Sequence, residues 1–493
     1  MKIVEPDVHN TLDHYAAHAY LSAGVGALRA EAARLVPLLS GRTVWMVNST
    51  AEGGGVAELL PTQIALLRQL GVDVRWAVIE CGEPEFFQFT KRLHNLIHAA
   101  HDQHPTEADR ELYERVNRSE AAALATHVKP DDILVVHDPQ PLALGVFLKQ
   151  QLGVRAIWRC HIGVDGASDD TDAAWSFMEP WATCYDAAVF TLAEYIPPFL
   201  RGRASVIHPT IDPLSHKNRD LSLHTLVGIL SDSDLVQPQW PLVTPPFTER
   251  ARRVQPDGSL APANHASDIG LLALPIVTQV SRWDRLKGFR PLLEAFALLK
   301  TKHLNGSETD ERARRRLEVV RLVLAGPDPA SVADDPEAIA VFEEMSGRYR
   351  TLPADVQRDV AIIALPMSSR KQNALMVNAL QRASDIVVQN SLREGFGLTV
   401  SEAMWKRTAM LGNWVAAGVR FQIRDHVDGR LVDDPEEPED LARVMTEMLV
   451  EAKRLHEHGR NGQQRVHDEF LIFSELQRWL ALLSKPYSAG RKT

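Results

Sequence analysis

The chain has 493 residues, 45% of them apolar and 24% charged, which excludes wholesale disorder and, at roughly 100–200 residues per domain, implies two to four domains. Its 54 basic and 64 acidic residues leave a net charge of −10, which argues against a dedicated nucleic-acid or anionic-membrane binder. Three widely spaced cysteines, Cys81, Cys160 and Cys184, with no C-x-x-C, exclude a disulfide framework and a zinc finger.

The N-terminal MKIVEPDVHNTLDHY carries acids where a signal peptide needs an apolar stretch. The longest apolar run, IGLLALPIVTQV, is too short to span a bilayer. A cytoplasmic protein without a membrane partner is expected. Strands are predicted at 43–48, 72–79, 132–137, 154–161, 186–192 and 205–209. They lack period-2 alternation, as in a parallel sheet covered on both faces. After the first of them, NSTAEGGGVAELL (48–60) opens a helix. Its glycines, Gly53 to Gly55, let backbone amides approach an anionic ligand, or simply make a tight turn. The spacing matches neither a Walker loop nor G-x-G-x-x-G.

His94, His98, His101 and His104 fall near one helical face, but no H-E-x-x-H glutamate accompanies them, so no metal site is expected. Cys160 and His161 are neighbours on a strand and point to opposite faces, which makes a Cys–His dyad unfavourable. His137, Asp138 and His161 stand at strand ends, where ligands of open α/β sheets bind, or serve a structural role there. Residues 213–272 are dense in proline and turn formers and read as a linker or insertion.

The second half repeats the alternation, with strands predicted at 274–282, 319–326, 360–365, 385–390 and 408–413. Two such sets imply two doubly wound α/β domains, not one barrel. VTQVSRWDRLKGF places Arg282 and Lys287 just past a strand, as a diphosphate clamp or as an exposed basic loop. SLREGFGLTVSEAMWK ends a strand near Asn390 and starts a helix near Leu398, whose first amides can hold phosphate oxygens. Glu394 precedes that helix and Glu402 lies about one turn inside it, so they either address different parts of an elongated ligand or simply partner the helix dipole. A final amphipathic helix is predicted over 468–483, apolar at Phe470, Leu471, Phe473, Leu476, Trp479, Leu480 and Leu483.

EGFGL, the pattern Glu394…Glu402 and SRWDRLKG together resemble the retaining glycosyltransferases typified by sucrose and glycogen synthases. VWMVNSTAEGGGVAELL, FFQFTKRLHN, VHDPQP, IWRCHIG and IHPTIDPLSHKN narrow the resemblance to trehalose glycosyltransferring synthases, over most of 40–215 and 273–435. That resemblance implies an α/β protein of GT-B fold, with two doubly wound Rossmann-like domains facing across a cleft and a C-terminal helix crossing back to the first. The implied boundaries are 1–212 for the acceptor domain, 213–272 for the linker, 273–467 for the nucleotide-sugar domain and 468–493 for the crossing helix and tail.

The implied reaction joins the glucose of an NDP-glucose to free glucose, giving α,α-trehalose. Arg282 and Lys287 would take the donor diphosphate and Glu402 the ribose. Glu394 and the amides of Gly395, Phe396, Gly397, Leu398 and Thr399 would take the donor glucose and phosphates. Gly54 and Gly55 would also bind the donor. Asn48, Asp138, Gln140 and His161 would line the sugar site, and Arg282, Lys287, Glu394 and His161 form the catalytic set. Lys91, His94 and Asn95 match a further family motif.

No tightly bound cofactor and no metal are implied, although Mg²⁺ stimulation is compatible with the motif. The partners implied are small sugars and sugar nucleotides, with neither nucleic acid nor membrane, and a homodimer is left open. The donor's base is also open. Two positions depart from the family pattern: Gly163 stands where Asp is expected, and Ala417-Gly418 where a glycine pair is expected. The competing readings are a retaining trehalose phosphorylase and a sugar-nucleotide-binding protein without turnover.

Overall fold

The computed structural model describes residues 1–8, 10–51, 55–237, 247–265, 268–304, 310–331 and 336–486. Gly53, Gly54, residues 238–246 and 266–267 of the expected linker, and the end of the tail lie outside the described residues. The chain forms two compact units, Met1–Thr210 with Phe470–Thr493, and Ile211–Glu469.

The first unit holds β1 (Lys2–Val4), β2 (Val44–Asn48), β3 (Val74–Val78), β4 (Ile133–His137), β5 (Arg155–Cys160), β6 (Ala187–Phe190) and β7 (Ala204–Val206). They are ordered β1-β3-β2-β4-β5-β6-β7. Strands β2 to β7 run parallel, and β1 adds antiparallel to β3. Every residue of β2, β4 and β5 is buried. Helices cover both faces of such strands, which is why their sequences run apolar without alternation. The chain leaves β2 toward β3 and returns on the other side as β4, so the topological switch point lies between β2 and β4. Asn48 and His137 end those two strands.

The C-terminal helix Ile472–Leu483 belongs to this first unit, following a wide turn at Val466–Phe470. All seven apolar positions predicted to face inward are buried. Phe473 meets Tyr15 edge-on at 5.4 Å, and a Cβ on Gly24 would lie 3.1 Å from its ring. Glu475 accepts from Gln63 Nε2 and Thr210 Oγ1, both at 2.5 Å. Arg155 donates to the carbonyls of Leu482 and Leu483 at 2.9 and 2.6 Å, satisfying acceptors that a helix end leaves open.

The second unit holds β8 (Arg252–Val254), β9 (Leu260–Pro262), β10 (Ile276–Val280), β11 (Arg321–Pro327), β12 (Val360–Leu365), β13 (Ile386–Val388), β14 (Ala409–Asn413) and β15 (Gly429–Val432). Their order is β15-β14-β13-β10-β11-β12-β8-β9. Strands β10 to β15 are parallel, and their switch point lies between β10 and β13. The β8–β9 hairpin extends the sheet antiparallel from β12.

The stretch 213–272, expected as a linker or insertion, is therefore built into the second unit wherever it is described. It supplies the β8–β9 hairpin and a helix, Leu223–Asp232. Ile229, Leu230, Ala251, Ala263, Ile269 and Leu271 pack with Leu375, Met376 and Leu380 of the helix Arg370–Arg382. Three-residue strands are too short to leave a periodic signal among prolines. Among the described residues, no helix is long and apolar enough to cross a membrane.

Candidate functional site

In the second unit, both segments singled out by the motifs leave the strands that flank the switch point. A short turn at Arg285–Lys287 follows β10, and Glu394 follows β13. Lys287 Nζ donates to Glu394 Oε2 at 2.6 Å, with the two side chains only 13% and 17% exposed. Gln389 Nε2 and Ser391 Oγ each donate to the same oxygen at 3.2 Å. Charge-assisted bonds of this kind are short and hold the side chain in one orientation.

Buried polar groups align the two segments. Gln279 donates to the Lys287 carbonyl at 2.7 Å and accepts from the Asn390 amide at 3.2 Å. Asn390 donates to the Gly288 carbonyl at 3.1 Å and to the Pro435 carbonyl at 2.9 Å. Gly288 has φ +61°, and a Cβ there would come within 2.3 Å of the Asn390 carbonyl oxygen, so only glycine lets the strands' exits meet this closely.

The turn before the helix Leu398–Trp405 is pinned in the same way. Gln422 Nε2 donates to the carbonyls of Phe396 at 2.5 Å and Gly397 at 3.2 Å, while its Oε1 accepts from the Ser401 amide at 3.1 Å. Gly397 caps the helix at φ +79°. Of the expected glycine pair, Ala417 is tolerated, whereas a Cβ on Gly418 would lie 2.5 Å from Phe396 Cα. Glu402 is buried, with Oε1 3.5 Å from Lys217 Nζ. Beneath it, the buried Lys406 donates to the Glu402 carbonyl at 2.9 Å and Asn218 Oδ1 at 3.1 Å, and burial pushes its pKa down to about 7. The two glutamates thus meet different cations. Arg282 is not brought to Lys287 and Glu394: it is 70% exposed, 3.6 Å from Asp284.

In the first unit, the strand ends around the other switch point gather Asn48, His137, Asp138 and His161. Asn48 accepts from Trp76 Nε1 at 2.7 Å and donates to the Thr50 carbonyl at 2.6 Å. Asp138 adopts φ +64°, uncommon for a residue with a side chain. Three bonds hold it there: its amide to the Arg159 carbonyl at 2.7 Å, Trp158 Nε1 to its carbonyl at 3.1 Å, and the His161 amide to its Oδ1 at 2.8 Å. Loss of hydration raises its carboxyl pKa to about 6. The Gln140 carbonyl accepts from Asn117 at 3.2 Å, and its buried Oε1 has no hydrogen-bond partner among the described residues. Such an oxygen is costly unless a ligand or water meets it.

Gly55 begins the helix Gly55–Gln69, and Gly54 lies outside the described residues. Lys91 is exposed, and Asn95 donates to Asp102 at 3.0 Å. His101 and His104 lie 3.5 and 3.1 Å from Asp170. Among the described residues no cluster of His, Cys, Asp or Glu is arranged to hold a metal ion.

Sequence reasoning missed Gln279, Gln389 and Ser391, although polar residues breaking apolar strand ends were a usable signal, and Gln422, which ends the helix Ala417–Gln422. It also missed Lys217 and Lys406, for which no local pattern exists. The Gly163 departure has a steric origin: a Cβ there would come within 2.5–2.8 Å of Tyr195. Gly163→Asp is therefore expected to lower the melting temperature and activity together, because the buried Tyr195 must move. An Asp variant of unchanged melting temperature and higher turnover would show that the site tolerates the family residue.

A family model for the N-terminal domain of trehalose synthase matches residues 46–197, and one for glycosyl transferases group 1 matches residues 272–465. A trehalose synthase of Pyrococcus horikoshii is 34% identical over 447 residues, 90% of each chain. One of Rubrobacter xylanophilus is 33% identical over 463 residues, 93% of this chain and 94% of that one. Among solved structures, a trehalose-6-phosphate synthase, OtsA, superimposes with a TM-score of 0.65 at 14% identity, over 91% of this chain and 99% of that one. Two parallel-stranded α/β units, each with its polar cluster at a switch point, are thus the GT-B fold of a glycosyltransferase, and the chain belongs to the trehalose synthase family.

Proposed function

We propose that this glycosyltransferase moves glucose from an NDP-glucose to free glucose, forming α,α-trehalose with retention at the transferred carbon. The observation that carries this reading is the Lys287–Glu394 pair, held at 2.6 Å where both switch-point strands of the second unit end, directly before a helix N-terminus. An open α/β sheet binds nucleotides at that place.

Lys287 and the amides from Gly395 to Thr399 take the diphosphate, and Arg282 reaches it from its exposed loop. The leaving nucleotide gains negative charge as the glycosidic bond breaks, and preoriented donors stabilise that charge with no tightly bound cofactor and no obligatory metal. Mg²⁺ stimulation fits this scheme. Glu402 takes the ribose hydroxyls, and Glu394 contacts the glucosyl group. In the first unit Asn48, Asp138, Gln140 and His161 take sugar hydroxyls. A glycosidase-type double displacement would need two facing carboxylates, one of them a nucleophile, and this scheme uses none. Retention then follows from front-face displacement, with the leaving phosphate accepting the proton of the attacking hydroxyl.

The test runs the reaction backwards, with trehalose and one of UDP, ADP or GDP in one series and trehalose and inorganic phosphate in another. A sugar nucleotide formed only in the first supports the proposal. Glucose 1-phosphate formed only in the second would make the chain a phosphorylase, and no turnover in either would leave a binding protein.

Asp138 gives a pH signature. Its pKa of about 6 means that it loses its charge as pH falls through 6, where an ordinary Asp stays ionised to about 4. The acid limb of kcat/KM is expected near pH 6 and should vanish in Asp138→Asn. A limb that persists unchanged in Asp138→Asn would assign it to another group.

A further inference from the structure

His137 ends β4, is 1% exposed, and has no part in the proposed chemistry. Its ring is within 16° of coplanar with that of His161, and His137 Nδ1 lies 3.0 Å from His161 Nε2. The centroids are 5.3 Å apart, so the rings meet edge to edge along their nitrogen lone-pair directions. Two ring nitrogens so placed share one hydrogen, one donating and the other accepting.

The second nitrogen of His137 decides which. His137 Nε2 lies 3.5 Å from Met46 Sδ, and a thioether sulfur can only accept. The hydrogen of a neutral His137 is therefore on Nε2, and its Nδ1 is a bare acceptor. His161 must then carry its own hydrogen on Nε2, which leaves His161 Nδ1 bare. Both rings stay neutral. Burial disfavours the charged form of each, and the guanidinium of Arg159 adds to that, holding the pKa of His137 down to about 3 and that of His161 well below its ordinary value. Among the described residues the charged side chain acting on both rings is Arg159, which is fully buried, and Glu475, Asp138 and Cys160 act on Arg159 in turn.

We propose that His137 is a positioning residue, which fixes His161 as the Nε2–H tautomer so that His161 Nδ1 accepts a hydrogen bond from a hexose hydroxyl. The hexose part rests on the function proposed above; the tautomer part rests on the geometry of His137, His161 and Met46 alone. His161 is half-buried, and its Nδ1 has no partner among the described residues. A donor-only imidazolium, or the other tautomer, would turn that atom into a competing donor. The ring would then reject a hydroxyl that donates toward it.

The test is long-range ¹H–¹⁵N NMR of the full chain labelled at histidine, with signals assigned through His137→Asn and His161→Gln. At pH 7 both rings are expected as neutral Nε2–H tautomers, unchanged down to pH 5.5. A protonated Nδ1 or a cationic ring at either position overturns the inference, whatever the enzyme turns over. Kinetics supply the second arm. His137→Phe lacks the acceptor and is expected to lower kcat/KM roughly tenfold, with mixed His161 tautomers, while His137→Asn, whose amide oxygen can replace Nδ1, recovers most of it. Equal activity of the Phe and Asn variants at equal folded fraction would also overturn it. If His137→Phe does not fold, the wild-type spectra still decide. Absence of turnover in the wild type with the expected tautomers would instead remove the proposed function and the hexose with it.

Discussion

Lys287→Ala is expected to lower kcat at least about a hundredfold, the scale on which removal of one preoriented donor to a developing anion is felt. Two effects add in this variant. In the proposed reaction the leaving diphosphate loses a cation, and Glu394, only 17% exposed, loses its partner at 2.6 Å. An uncompensated carboxylate then stands beside the place where negative charge builds up. Arg282→Ala should fall less than Lys287→Ala, because Arg282 is 70% exposed and loosely held near Asp284, so it contributes less preorientation. Steady-state rates at saturating donor and acceptor check both. Near-normal kcat in Lys287→Ala would remove the clamp. Since the pair is in contact, Lys287→Ala with Glu394→Gln should cost less than the product of the single losses.

Glu394→Gln is expected to depress kcat by roughly two orders of magnitude, while Glu402→Gln mainly raises the donor KM. Glu394 sits in the loop with Lys287, Gln389 and Ser391 around one carboxylate oxygen, and in the proposed reaction it faces a sugar whose charge and shape change during transfer. Glu402 is buried one turn inside the helix beside Lys217. In the proposed reaction it meets ribose hydroxyls that look alike in ground and transition states, and uniform binding appears in KM. Kinetics of both variants at saturating glucose separate the two. The reverse pattern would mean that the glutamates address opposite ends of the donor.

All eleven strands of the two parallel cores named from the sequence are present, because a strand buried on both faces must be an apolar, β-branched run such as VWMVN or VAIIAL. β1, β8, β9 and β15 were not legible. Three of them have three residues, and GRLV carries a glycine and an arginine into its four. The C-terminal helix was legible as an amphipathic pattern, but its docking to the first unit rested on resemblance, since periodicity says which face is buried and not against what.

At the site, EGFG and the Glu394…Glu402 spacing located the loop and helix because backbone geometry forces glycine at Gly397. Lys287 and Arg282 looked equivalent as two cations in one loop; only the fold separates a lysine locked onto Glu394 from an arginine left in solvent. The longer links of the polar frame, Asn390 to Gln279 and Ser401 to Gln422, join residues 111 and 21 positions apart, a distance over which no motif speaks. The missing aspartate after Ile162 became intelligible only through Tyr195.

One measurement addresses the proposed reaction most directly: incubation of the full chain with ¹³C-labelled glucose and each of UDP-, ADP- and GDP-glucose, with the product identified by NMR. The expected product is α,α-trehalose labelled in one ring, with both anomeric carbons α, and nucleoside diphosphate released in equal amount. An α,β linkage, a product containing no labelled glucose, or no turnover with any of the three donors would contradict retaining transfer from a nucleotide sugar to glucose.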